Sequence, residues 1–165
     1  MKEVGIGMGS NLGNRLEILK QAVASLKELS GEDFRISSVY ESEAWGYDSL
    51  NSYYNMVLVF RTFLSADDLL ESLLEIEQRL GRVRVDKSYS DRSIDLDLLF
   101  YGDLIRNDEH LILPHPRMVL RRFVLEPLQE IHSSWRHPQT GLMISTILSA
   151  CEDSPIVKLR HSVSE

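Results

Sequence analysis

Residues 93–101, SIDLDLLFY, set apolar side chains at every second position, the pattern of a β-strand with one face in a core. Ile94, Leu96, Leu98 and Phe100 then share the core face. Asp95 and Asp97 share the opposite one, roughly 7 Å apart at about 3.3 Å per residue. Aspartate is disfavoured in strands, and two on one face repel each other. A hard cation with oxygen ligands relieves that repulsion. Magnesium typically takes one or two protein carboxylates alongside phosphate oxygens. The bland alternative is a solvated polar face of a sheet.

The rest of the chain supplies partners for that strand. Val4, Ile6 and Met8 alternate with glycines before Gly9-Ser10-Asn11, a strand running into a turn. Leu16, Leu19, Val23 and Leu26 recur at helical spacing and predict a helix over 13–29. Residues 34–42 and 53–62 read as strands, the second rich in β-branched and aromatic side chains. Ser65 is an N-cap for a helix whose apolar face is Leu69, Leu70, Leu73, Ile76 and Leu80, and Gly81 stops it. Residues 82–92 read as a polar loop. Pro114 and Pro116 mark a turn, with short helices near 117–131 and 143–150. The order β-α-β-β-α-β predicts an α+β, ferredoxin-like antiparallel sheet with helices packed on a face and additional C-terminal helices. No repeat, linker or low-complexity stretch divides residues 1–165, so one domain is expected.

A net charge of −7 argues against nucleic acid or an anionic membrane as the main partner. The single cysteine, Cys151, permits no intramolecular disulfide and reads as a small buried hydrophobe. The start, MKEVGIGMGSN, is too short in apolar residues and too rich in glycine for a signal peptide, and no run could span a bilayer. These features together predict a cytoplasmic protein.

Against the acidic average, Arg82, Arg84, Lys87 and Arg92 cluster just ahead of the aspartate pair. Arginine forks match phosphate oxygens, and arginines beside a metal-binding carboxylate pair are the parts of a phosphoryl-transfer site. A surface loop with local ion pairs is the plainer reading. Tyr53 and Asn55 share a strand face, Trp45, Gly46 and Tyr47 precede them, and Phe123 follows Arg121 and Arg122. Aromatic walls with an amide suit a flat, hydrogen-bonding heterocycle, though core packing would explain the aromatics equally well. His115, between Pro114 and Pro116, is held at a turn. Gly5-Ile6-Gly7-Met8-Gly9 fails the dinucleotide fingerprint, since Ser10 or Leu12 takes the third glycine position, and no P-loop is present.

Taken in order, these segments resemble the 6-hydroxymethyl-7,8-dihydropterin pyrophosphokinase family. The resemblance covers about 150 residues: Gly9-Ser10-Asn11-Leu12-Gly13, Tyr53-Tyr54-Asn55, Glu77, Gly81-Arg82-Val83-Arg84, Arg92-Ser93-Ile94-Asp95-Leu96-Asp97-Leu98-Leu99, Pro114-His115-Pro116-Arg117-Met118 and the stretch from Arg121 to Leu128. It implies transfer of pyrophosphate from ATP to hydroxymethyl-dihydropterin, with AMP as second product. It implies two Mg2+ ions on Asp95 and Asp97, which with Arg82 and Arg92 form the catalytic set. It implies ATP contacts from Glu77, Arg82, Arg92, Leu98, His115 and Arg121. The pterin pocket would use Ser42, Trp45, Tyr53, Asn55, Tyr89 and Phe123, with loops near 43–52 and 82–92 closing over the substrates. The implied partners are the two small substrates, with no nucleic acid, membrane or obligate protein partner. Where the family commonly has an aromatic followed by Gly-Pro, this chain has Ser88-Tyr89-Ser90-Asp91, and Ala44 stands where proline is frequent. The competing readings are a non-catalytic ferredoxin-like ligand-binding module and a metal-dependent phosphodiester hydrolase. The first has no use for two acids beside arginines, and the second would want more metal ligands, histidines among them.

Overall fold

The computed structural model describes residues 1–82, 91–159 and 163. The central strand β4 (Tyr53–Thr62) runs antiparallel to β1 (Lys2–Ser10), which in turn pairs with the edge strand β5 (Asp95–Tyr101). On its other side β4 pairs with β2 (Glu32–Ile36) and β3 (Tyr40–Ser42). The order of strands 5-1-4-(2,3), with α1 (Arg15–Leu29) and α2 (Ala66–Arg79) crossing between them, is the ferredoxin-like arrangement expected from the sequence.

The predicted strand over 34–42 is two strands. Between them Ser37 offers its hydroxyl oxygen to the Val57 N–H at 2.9 Å, so a side chain takes over one rung of the ladder. The two-residue strands β6 (Arg106–Asn107) and β7 (Ile112–Leu113) form a small hairpin. The tail adds a further strand, β8 (Val157–Lys158), at the edge of β3.

Helix α2 begins as its sequence requires: the Ser65 hydroxyl accepts the Asp68 N–H at 3.1 Å. It ends at Gly81, whose φ of +87° favours glycine. On the other face of the sheet lie α3 (Arg122–Ile131) and α4 (Ile144–Ser149). Helices therefore cover both faces, where the sequence had suggested one. Along β4, Met56, Leu58 and Phe60 enter the core under α1 and α2, while Val57 and Val59 enter the core under α3 and α4. Cys151 is half-buried at the margin of this second core.

A β-bulge corrects one expectation. Gly5 pairs with Phe100 and Ile6 with Leu98, so Leu99 is an extra residue on β5. Leu96 and Leu98 keep the predicted core face, but Leu99 and Phe100 both turn into the opposite core, where Phe100 packs 5.2 Å from Trp135. The Phe100 ring lies over Gly5; a Cβ at that position would sit 2.2 Å from Cε1 of the ring. The alternating glycines of β1 are thus spacers for packing.

Candidate active site

The last residues of β1 and the first residues of β4 and β5 lie at the same end of the sheet. Across the pairs, Gly9 stands between Asn55 and Asp95, and Gly7 between Val57 and Asp97. Residues opposite one another in a ladder share a face. Asp95, Asp97 and Asn55 therefore project from one face, and the two glycines between them leave the floor of a cleft low. A Cβ on Gly9 would crowd Asn55 Oδ1 at 3.2 Å. The cleft encloses roughly 560 Å3, part of it open to solvent, and its walls include Ser42, Trp45, Tyr47, Tyr53, Asn55, Arg92, Asp95, Asp97, Arg121 and Phe123.

One side of the cleft is charged. Arg82 Nη1 donates to Asp95 Oδ1 at 2.7 Å and Arg92 Nη1 to Asp95 Oδ2 at 3.2 Å. Arg121 Nη1 reaches Asp97 Oδ2 at 3.4 Å. The guanidinium of Arg121 also lies over the Trp45 ring, 4.7 Å from its centre, and its buried Nε has no hydrogen-bond partner among the described residues. Burial, followed by repulsion from Asp95, pushes the Asp97 carboxyl up to about 7. The donor set here is carboxylate oxygen alone, which suits a hard divalent cation. In this structure the protein's own arginines supply the neutralising charge.

Glu77 does not face the cleft. It is 2% exposed, and its Oε1 accepts from Arg82 Nη1 at 2.6 Å and from the Leu96 N–H at 2.8 Å. It holds Arg82 toward Asp95. The Leu98 side chain is buried in the core beneath α2, so a contact with ATP would be made by its backbone. His115 stands near Arg121 and Arg117. Burial and then those two cations hold its pKa down to about 4, and its Nδ1 accepts the Arg117 N–H, so the neutral ring carries its proton on Nε2.

The other side is aromatic and amide. Asn55 is buried, and its Nδ2 donates to Ser42 Oγ at 2.7 Å. The Tyr53 and Tyr47 hydroxyls are 2.6 Å apart. The cleft thus gathers Ser42, Trp45, Tyr53, Asn55 and Phe123, five of the six proposed pterin contacts; Tyr89 lies outside the described residues, as does most of the loop 82–92.

The sequence model of the 7,8-dihydro-6-hydroxymethylpterin-pyrophosphokinase (HPPK) family matches residues 5–133. The chain belongs to this family. It is 42% identical over 144 residues to the 2-amino-4-hydroxy-6-hydroxymethyldihydropteridine pyrophosphokinase of Synechocystis, covering 87% of this chain and 73% of that one. It is 41% identical over 154 residues to the folic acid synthesis protein fol1 of Pneumocystis carinii, covering 93% of this chain and 20% of that protein. Among solved structures, Plasmodium falciparum HPPK-DHPS with pteroate superposes with a TM-score of 0.73 at 14% identity, over 90% of this chain and 44% of that one. At that identity the likeness speaks for the fold. The chain therefore spans a minor part of the fungal and Plasmodium proteins and most of the cyanobacterial one.

Sequence reasoning missed how Tyr47, Asn11 and Asp91 work together. The Asn11 side-chain oxygen accepts the Arg92 N–H at 2.8 Å, and the Asn11 backbone N–H donates to the Arg92 carbonyl at 3.1 Å. Asn11 in this way fixes the chain entering β5. Its place in the glycine-bounded turn after β1 was the only signal available.

Proposed function

We propose that this chain transfers the terminal diphosphoryl group of ATP to the hydroxymethyl oxygen of 6-hydroxymethyl-7,8-dihydropterin, releasing AMP, as a step of folate synthesis. One observation carries the reading: a slot walled by aromatics and an amide opens onto a carboxylate pair flanked by three arginines. Membership of the family, with bacterial relatives named for this activity, supports it.

In this reading the pterin lies among Ser42, Trp45, Tyr53, Asn55 and Phe123, where flat apolar surfaces and a buried amide meet a heterocycle's faces and edges. The triphosphate lies toward Arg82, Arg92 and Arg121. His115, neutral, adds an N–H donor from Nε2. The hydroxymethyl oxygen bonds to the β-phosphorus. The bond from that phosphorus to the oxygen bridging to the α-phosphate breaks, and this oxygen departs with AMP. The hydroxyl proton is lost to solvent. Little covalent work is asked of the protein, so its contribution is positioning and charge stabilisation.

Asp95 and Asp97 would hold two Mg2+ ions, which when bound draw charge from the phosphate oxygens. No group of three or more acidic, histidine or cysteine ligands exists among the described residues, as suits an ion that keeps water and substrate phosphates for its remaining ligands. Arg92 bridges the two halves of the cleft: it bonds Asp95 on one side and the Tyr53 hydroxyl on the other. Its guanidinium is therefore the protein cation best sited for the transferring group. Residues 1–165 act as one pyrophosphokinase unit in this reading. Among the described residues no helix is long and apolar enough to cross a membrane, and we take the reaction to occur in the cytoplasm.

With ATP and magnesium the protein should form AMP only when hydroxymethyl-dihydropterin is present. AMP made at the same rate without the pterin, or none with it, would contradict the proposal.

A further inference from the structure

Asp91 receives four side-chain hydrogen bonds from two distant segments. Asn11 Nδ2 donates to its Oδ1 at 2.8 Å, from the turn after β1. The other three come from the segment between β3 and β4. Ser49 Oγ donates to Oδ1 at 2.6 Å, the Tyr47 hydroxyl to Oδ1 at 3.0 Å, and Asn51 Nδ2 to Oδ2 at 2.7 Å. No cation is among these donors. A carboxylate met by several neutral donors stays ionised, and the Ser49 bond leads the influences that hold Asp91 down to about 2.

An ionised carboxylate can only accept, and that fixes the direction of the bonds beyond it. Tyr47 has one hydroxyl proton and gives it to Asp91. The 2.6 Å contact between Tyr47 and Tyr53 must then be donated by Tyr53. Tyr53, its proton committed, accepts from Arg92. The result is a directed chain, Arg92 to Tyr53 to Tyr47 to Asp91, running from the charged side of the cleft along its aromatic wall.

Resting on the function proposed above, we infer that Asp91 is a positioning residue. Its carboxylate clamps residues 47–51 against the end of β1 and orients the Tyr47–Tyr53–Arg92 chain, so that the pterin side of the cleft is set before substrate arrives. A pre-set wall spares the ligand the entropy of ordering it. With its proton spent on Tyr47, the Tyr53 hydroxyl can act only as an acceptor toward its other neighbours. Asp91 is not among the residues that line the cleft; it acts through the two phenols.

Two kinds of measurement test this. In steady-state assays Asp91→Ala should raise the pterin KM at least tenfold and leave the ATP KM within about threefold. Tyr47→Phe, which cuts the chain but leaves the Ser49 and Asn51 bonds, should give a pterin defect of the same kind. Asp91→Asn keeps an acceptor for Tyr47 and should recover most of the loss. Equal changes for both substrates, or no change in either variant, would overturn the inference. Should Asp91→Ala fail to fold, Tyr47→Phe decides. The clamp is also read without catalysis. Chymotrypsin acting on the free protein after Tyr47 or Leu50 should cut Asp91→Ala at least ten times faster than wild type, and equal rates would remove the clamp. A wild-type chain that makes no pterin-dependent AMP would instead defeat the functional reading, and the cleavage rates would then judge Asp91 alone.

Discussion

On the charged side of the cleft each carboxylate meets an arginine: Asp95 meets Arg82 and Arg92, and Asp97 meets Arg121. On the aromatic side one carboxylate, Asp91, meets only neutral donors among the described residues, and Asn55 meets the hydroxyl of Ser42. The two arrangements answer different demands. Ion pairs can be exchanged: when a phosphate takes an arginine and a metal takes a carboxylate, each charge keeps a partner. Neutral hydrogen bonds to an ionised group have no such exchange waiting in the ligands, so they persist and hold a shape. One side of the cleft is therefore built to be re-partnered on binding, and the other to stay as it is.

Four substitutions or titrations bear on that contrast. The largest effect should come from Asp95→Ala or Asp97→Ala, each lowering turnover by orders of magnitude with little change in thermal unfolding. Both carboxylates are partly exposed at the cleft and neither belongs to the packed apolar core. Near-normal turnover of both variants at ordinary magnesium would sink the two-ion assignment.

Next in size is Arg92→Ala. It should reduce kcat by about 3 kcal/mol in barrier, roughly a hundredfold, and change the ATP KM little, because developing charge is strongest in the transition state. A loss confined to KM would make Arg92 an ordinary binding residue and blur the distinction between the two sides.

The third concerns His115, whose folded pKa near 4 lies below its ordinary 6.5. The unfolded chain binds the proton more readily, so this group's contribution is unchanged above about pH 6.5. Stability is lost as pH falls toward 4, to the extent of about 2 kcal/mol after allowance for partial exposure. Asp97, with its raised pKa, works in the opposite sense over an overlapping range. Comparing wild type with His115→Gln in denaturant titrations from pH 7 to 4 isolates the histidine. Parallel curves would mean that His115 is not desolvated in the folded protein.

The smallest effect is expected from Asn55→Ala. Loss of one hydrogen bond to the heterocycle should weaken pterin binding by about 1–1.5 kcal/mol, close to tenfold, and leave ATP binding nearly unchanged. Calorimetric titration of each ligand reads this directly, and equal losses for both would assign Asn55 to scaffolding alone.

Much of the frame was legible in the sequence because local rules agreed there. The strand over 53–62 and the Ser65-capped helix ending at Gly81 follow from alternation, capping and a positive φ. The aspartate pair shares a face because a strand has a period of two. Legibility failed where a non-local contact overrode the period. The bulge at Leu99 sends Phe100 to the second core because Gly5, almost a hundred residues away, leaves room for its ring. The break in the second strand depends on a serine hydroxyl replacing a backbone partner. The resemblance implies an ATP contact for Glu77, but nothing local in the sequence shows that it is buried and holds Arg82 and the Leu96 N–H. Asp91 looked like a charge beside Arg92. Its donors stand up to 80 residues away in sequence, and no local pattern announces them.

The account rests most directly on where the phosphorus atoms of ATP go. Following the reaction of ATP, magnesium and hydroxymethyl-dihydropterin by 31P NMR should show one AMP formed per pterin consumed, with the β and γ phosphorus together in a diphosphate ester on the pterin. ADP with a pterin monophosphate, or free pyrophosphate with unmodified pterin, would contradict it.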